Sequence, residues 1–206
     1  MATSIIARTE ADLVPPPIAE ALLFDWDGTL FDNHHFNFAV MRDALAAHGV
    51  GITGDWFEAN AGYSARHMVT RAAQEQRRDL DPLHVLALRD EIAADRVDQV
   101  QPIQAVHDLV RSCLPTHRLA VVTGSERSNI DSTLKRFGMQ DTFDPIVSRD
   151  QISRGKPDPE GYLTALRLLG LPPERAVVYE DSDQGVAAGL AAGIDVIDVR
   201  GLTASL

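Results

Sequence analysis

Cysteine is nearly absent. The 206 residues contain one, Cys113, so no internal disulfide can form. Cys113 sits in an apolar helical stretch before Leu114-Pro115 and reads as a buried structural thiol rather than a nucleophile. Long apolar runs are missing as well. No stretch approaches the ~20 residues that cross a bilayer, and Ile5-Ile6 before Arg8 is too short for the apolar region of a signal peptide. A reducing, cytoplasmic setting without a membrane partner is therefore expected. Positive charge is scarce: 19 Lys and Arg face 30 Asp and Glu, a net charge of −11. That balance argues against nucleic acid or an anionic membrane surface as partner. An acidic chain that handles anionic substrates needs local positive charge or a metal. Nothing reads as an obligate apolar surface, so a monomer is expected. The 45% hydrophobic content suffices for one core with a smaller inserted lobe.

Residues 1–18 are mixed polar, end in Pro15-Pro16-Pro17, and read as an N-terminal tail. Ala21-Leu22-Leu23-Phe24 then predicts a strand buried on both faces. From 33 to 100 no β-rich run occurs. Phe38, Met41 and Leu45 recur at helical spacing, with further helices predicted near 63–78 and 82–100; the Arg77–Asp79 and Arg89–Glu91 charges read as solvated helix faces. This block is an all-helical insertion. After Pro102 buried strands alternate with helices: Leu119–Val122, a short run from Phe143 to Val147 placed at a sheet edge by Pro145, Ala176–Tyr179, and a last strand near Val196-Ile197. Such alternation implies a parallel, doubly wound α/β sheet. The expected domains are a core of 19–32 and 101–206 and the helical insertion 33–100.

Three of these strands end in polar clusters: Asp25-Trp26-Asp27-Gly28-Thr29-Leu30, Thr123-Gly124-Ser125 and Glu180-Asp181-Ser182. Parallel strands share a carboxyl edge, where open α/β sheets form their crevices. Alone, the first cluster could be a polar turn after a core strand. Three clusters, with Lys156 in Gly155-Lys156-Pro157-Asp158-Pro159, are hard to explain as turns. Carboxylates this close repel unless a cation or proton relieves them, and all-oxygen ligation favours Mg²⁺. Asp25 and Asp181, with Glu180 nearby, can offer those oxygens. Thr123 and the backbone N–H groups of Gly124 and Ser125 suit phosphate oxygens, as Gly28 lets N–H groups of its turn face an anion. Lys156 adds a fixed positive charge, and Asp27 is left to hand over a proton. Together these groups describe phosphoryl transfer with a carboxylate nucleophile.

The chain resembles the haloacid dehalogenase (HAD) superfamily, in the branch containing phosphoglycolate phosphatases and β-phosphoglucomutase. The residues that carry the resemblance are Asp25–Asp32, Val121–Ser125, Gly155–Pro159, and Glu180-Asp181-Ser182 followed by Gly185 and Ala192-Gly193. It implies a Rossmann-like core with an inserted helical cap that closes over small phosphorylated metabolites. It also implies that Asp25 forms an aspartyl-phosphate and that Asp27 is the general acid/base, binding Mg²⁺ through its carbonyl. Thr123 and Lys156 would hold the phosphoryl group, Asp181 the metal, and Glu180 would support the metal directly or through water. In the cap, His34 and Arg66 are candidate substrate contacts, Arg66 lying in the loop Gly62–His67.

The expected activity is Mg²⁺-dependent hydrolysis of a small phosphomonoester of sugar phosphate or phosphoglycolate type. The alternative is a β-phosphoglucomutase-like mutase; such mutases carry His where this chain has Asn37 and Arg where it has Ala65, and both departures favour a phosphatase. A dehalogenase is disfavoured by Asp27, and a phosphonatase by the absence of lysine from 33–100. A non-catalytic binding protein would show a lost motif residue, and none is lost. Ser182 reads as a helix N-cap, Trp26 as support for the motif turn, and Gly185, Ala188, Gly189 and Ala192 as close helix–sheet packing.

Overall fold

The computed structural model describes residues 2–60 and 63–203. The chain divides into two compact units, 1–32 with 101–206, and 33–100.

The first unit is built on a six-stranded parallel sheet. Its strands are β1 (Ser4–Ile6), β2 (Ala21–Phe24), β5 (Arg118–Val122), β6 (Ile146–Val147), β7 (Ala176–Glu180) and β8 (Asp195–Asp198), in the order β1-β8-β7-β2-β5-β6. The expected α/β class is the observed one. β2 is buried throughout because both sheet faces are covered. Ala21 and Leu23 join Ala120, Val122 and Val178 on one face, against Tyr162, Ala165 and Leu166 of α7 (Glu160–Leu169). On the other face Phe24 stacks on Tyr179, with ring centroids 4.9 Å apart. Each fully buried side chain of this size contributes about 1.5–3 kcal/mol. The remaining helices of this unit are α5 (Gln104–Cys113), α6 (Arg127–Phe137), α8 (Asp183–Ala191) and α9 (Arg200–Thr203), and Cys113 is buried in α5. A two-residue antiparallel pair, β3 (Phe31–Asp32) with β4 (Gln101–Pro102), joins the two chain segments that flank the insertion.

The N-terminal segment differs from expectation. It supplies β1, paired in parallel with β8, and a 3-10 turn over Glu10–Leu13. Ala7 and Leu13 are buried, and the Tyr179 hydroxyl donates to the Leu13 carbonyl at 2.7 Å. Three residues are too few to show periodicity, so β1 is invisible in the sequence.

The second unit comprises α1 (His34–Ala47), α2 (Gly54–Glu58), α3 (Ala65–Glu75) and α4 (Pro82–Asp95), followed by a 3-10 turn at Val97–Gln99. Met41, Leu45, Phe57, Met68, Val69 and Val85 form its core. Thr53, Ser64 and Asp81 cap α2, α3 and α4 with their side chains; the Asp81 cap with Pro82 behind it fixes the start of α4. α2 is too short to predict from periodicity. Arg89, expected on a solvated face, is instead buried, its charge met by the Asp90 carboxylate, which Nε bonds at 2.9 Å. Gly62, part of the loop expected to carry Arg66, lies outside the described residues.

Candidate active site

Register assembles the site. Phe24 lies opposite Val121 and Tyr179, so the next residue of each chain segment, Asp25, Val122 and Glu180, lies at one level along the sheet's carboxyl edge. Thr123 and Asp181 follow immediately. Asp25 is further fixed by its N–H, which donates to the Tyr179 carbonyl at 3.0 Å.

Four charged groups meet there. The Lys156 ammonium contacts both Asp25 Oδ1 and Glu180 Oε1. One carboxylate oxygen from each of Asp25, Glu180 and Asp181 lies within 4.8 Å of the others. Burial pushes the Asp25 carboxyl well above the usual carboxylate range, Lys156 opposing the shift and the neighbouring carboxylates reinforcing it. Asp181 is raised to about 6 by burial and by Glu180, partly offset by the Thr29 hydroxyl, which donates to its Oδ1 at 3.1 Å. Burial disfavours the Lys156 charge, but Asp25 and Glu180 outweigh that and hold its pKa well above the ordinary lysine value. Three carboxylates therefore share one ammonium, a charge imbalance that a bound cation relieves. The donors are all oxygen, which fits a hard divalent cation such as Mg²⁺. An added Cβ at Gly28, whose φ is +83°, would lie 2.0 Å from Asp181 Oδ2, so that glycine keeps the approach to Asp181 open.

Several expected site residues hold different bonds from those anticipated. The Gly28 N–H is engaged by the Phe31 carbonyl at 2.8 Å, closing the motif turn rather than facing an anion. The Ser125 N–H donates to Thr123 Oγ1 at 3.0 Å, and the Ser125 hydroxyl donates to Asp27 Oδ2 at 2.6 Å. Ser125 thus precedes α6 as a brace between Thr123 and Asp27. Thr123 is buried; its oxygen is occupied as an acceptor, which leaves its own proton to donate. Gly124 and Gly155 line a recess with Thr123, Lys156 and Tyr162, and added Cβ atoms at either glycine would meet nothing within 4 Å. His34 and Arg66 belong to the helical unit. His34 pairs with Glu58 beside Phe57, and Arg66 is exposed in the first turn of α3.

Among the supporting residues, the role of His107 and the neighbour of Gly185 went unread in the sequence. Trp26, as expected, is buried under the turn, packing on Phe31 with centroids 4.7 Å apart. Behind it the buried His107 donates from Nε2 to the Leu30 carbonyl at 3.0 Å, and burial holds its pKa below the ordinary value. Ser182 caps α8 by accepting from the Gly185 N–H at 3.0 Å. Gly189 allows close packing, since a Cβ would lie 2.7 Å from Val196. Gly185 does something else. Its absent side chain makes room for the Glu180 carboxylate, whose Oε1 would lie 1.7 Å from an added Cβ.

Residues 22–199 match the model of the haloacid dehalogenase-like hydrolase family. The chain belongs to this family. Its relatives include the fructose-1-phosphate phosphatase YqaB of Escherichia coli K12, 34% identical over 182 residues that cover 87% of this chain and 95% of the relative. The validoxylamine A 7'-phosphate phosphatase of Streptomyces hygroscopicus subsp. limoneus is 34% identical over 84% of this chain and 81% of its own. Among solved structures, CbbY from Rhodobacter sphaeroides in complex with phosphate superposes with a TM-score of 0.79 at 28% identity, covering 86% of this chain and 84% of that one. This HAD-like hydrolase contains, among the described residues, no helix long and apolar enough to cross a membrane.

Proposed function

We propose that this HAD-like hydrolase is a Mg²⁺-dependent phosphatase of small phosphomonoesters, of sugar phosphate or phosphoglycolate type, working through an aspartyl-phosphate on Asp25. The reading rests on one observation above all: the buried Asp25 carboxylate at the end of β2, contacted by Lys156 and adjacent to Asp181 and Glu180. The phosphatase names of its relatives support the same chemistry.

In the first half-reaction an Asp25 oxygen attacks phosphorus and the bond to the ester oxygen breaks, Asp27 giving its proton to the leaving alcohol. In the second, Asp27 takes a proton from water, the water oxygen attacks phosphorus, and the Asp25–phosphorus bond breaks to release inorganic phosphate. Lys156 and the Thr123 hydroxyl hold the phosphoryl oxygens, and Ser125 orients Asp27 through its 2.6 Å bond. Asp25, Asp181 and the Asp27 carbonyl would hold Mg²⁺ with Glu180 in support, and the ion supplies charge that offsets anion–anion repulsion between nucleophile and phosphate. The helical unit 33–100, with His34 and Arg66, is the proposed source of substrate selection. A monomeric protein acting on a free metabolite completes the reading.

The test is phosphate release from a panel of sugar 1- and 6-phosphates, phosphoglycolate and nucleoside monophosphates. Release that disappears with EDTA and in Asp25→Asn is the expected result. Release surviving in Asp25→Asn would remove Asp25 as nucleophile. Interconversion of sugar phosphates without release would identify a mutase instead.

A further inference from the structure

Tyr162 occupies a fully buried position in α7, among Ala165, Leu166 and Val178. A phenylalanine would pack there equally well, and a buried hydroxyl is unfavourable unless bonded. Its hydroxyl donates to Glu180 Oε1 at 3.1 Å, the oxygen that also receives Lys156. The Tyr162 ring lies 5.4 Å from the Lys156 ammonium, within cation–π range. One side chain thus presents its face to the ammonium and its hydroxyl to that ammonium's carboxylate partner.

The carboxylate is clamped from its other end as well. Glu180 Oε2 accepts from the Asp181 N–H at 2.9 Å, the Ser182 N–H at 3.1 Å and the Ser182 hydroxyl at 3.0 Å. With Tyr162 and Lys156 on Oε1, five donors fix its plane. Lys156 has three N–H bonds to give. Two go to Asp25 Oδ1 and Glu180 Oε1, which sets the direction of the third. The recess lined by Thr123, Gly124, Gly155, Lys156 and Tyr162 adjoins that ammonium.

We propose that Tyr162 is a positioning residue: its hydroxyl holds Glu180 so that Lys156 bridges Glu180 and Asp25 with one N–H directed to the phosphoryl group. Without the hydroxyl, Oε1 has only Lys156 as donor, and the ammonium is drawn towards Glu180 and away from Asp25. The proposal rests on the phosphatase reading for its consequence in turnover, while the geometry of Lys156 is measurable without it.

The chain has two lysines, Lys135 and Lys156, and Lys135 is exposed on α6. In protein labelled with ¹⁵N at lysine Nζ, the protected ammonium resonance therefore reports on Lys156. In Tyr162→Phe the expected result is a shifted Lys156 resonance with faster proton exchange. Inorganic phosphate in the presence of Mg²⁺ should bind about fivefold more weakly, and kcat should fall about tenfold with a smaller change in KM. Because Tyr162 acts through Glu180, Tyr162→Phe should add little to the loss already present in Glu180→Gln. A Lys156 resonance that stays in place, or losses that simply multiply in the double variant, would overturn the proposal and leave Tyr162 a packing residue. Glu180→Gln breaks the same link from its other end and supplies the resonance measurement if Tyr162→Phe does not fold. If wild type releases phosphate from no ester, the phosphatase reading fails, and the resonance together with phosphate affinity still decides the role of Tyr162.

Discussion

The two units of this chain use charge in opposite ways. In the helical unit 33–100 the ion pairs of Arg71 with Glu75 and of Arg42 with Asp43 lie at the surface, and the buried Arg89 has a carboxylate of opposite sign in Asp90, around a core of ordinary apolar contacts. In the α/β unit three carboxylates and one ammonium are gathered at the sheet's carboxyl edge, with Asp25 and Glu180 buried. Surface pairs contribute little to stability and can be changed freely. Buried like charges oppose folding unless something else needs them. The contrast teaches that the α/β unit carries a local instability which a bound cation would relieve.

The contrast breaks most sharply at Lys156. Lys156→Met leaves the carboxylates without their cation and is expected to destabilise the protein by about 3–5 kcal/mol and to abolish turnover. Thermal melts and phosphate release would show both, and an unchanged melt would mean the network is not under strain. Gly185→Ala comes next. Alanine in place of a helical glycine is ordinarily favourable by up to about 1 kcal/mol. Here the Cβ would collide with Glu180 Oε1 at 1.7 Å, so destabilisation of about 2–3 kcal/mol with loss of activity is expected from denaturant titration and kinetics.

Asp181→Asn should act in the opposite direction. The folded-state pKa of Asp181 is raised from 3.8 to about 6, so its contribution to stability is fully present below about pH 4 and is lost as pH rises through 6. At pH 7.5 without metal, removing the charge is expected to stabilise the fold by about 1–3 kcal/mol, the upper end following from about 1.4 kcal/mol per pKa unit. Mg²⁺ is expected to raise the melting temperature of wild type, and the variant should lose that rise. A destabilised Asp181→Asn at pH 7.5 would contradict the assigned direction. The smallest effect belongs to the helical unit: Gly54, with nothing within 4 Å of an added Cβ, should tolerate Gly54→Ala with a gain of about 0.5 kcal/mol and unchanged kcat.

Much of this was legible in the chain itself. Alternation of apolar strands with helices determined the parallel α/β class, because strands buried on both faces must be apolar throughout, as Ala21–Phe24 and Ala176–Tyr179 are. Polar residues directly after those strands marked the sheet edge, since parallel strands share it. What stayed hidden were elements too short for a period, β1 and α2, and side chains whose burial resembles that of any core residue. Tyr162 and Gly185 follow the apolar and small-residue patterns of α7 and α8, and periodicity reports that a position is inside without saying what it meets there. Ser125 was legible as a polar residue at the edge, but its bond to Asp27 spans 98 residues, as that of Thr29 to Asp181 spans 152. The sequence by itself determined the fold class and which charged groups would be available. Only the tertiary structure decided how Glu180 is clamped, which way Lys156 is turned and why Gly185 must lack a side chain, because strand register sets those distances and no local pattern encodes it.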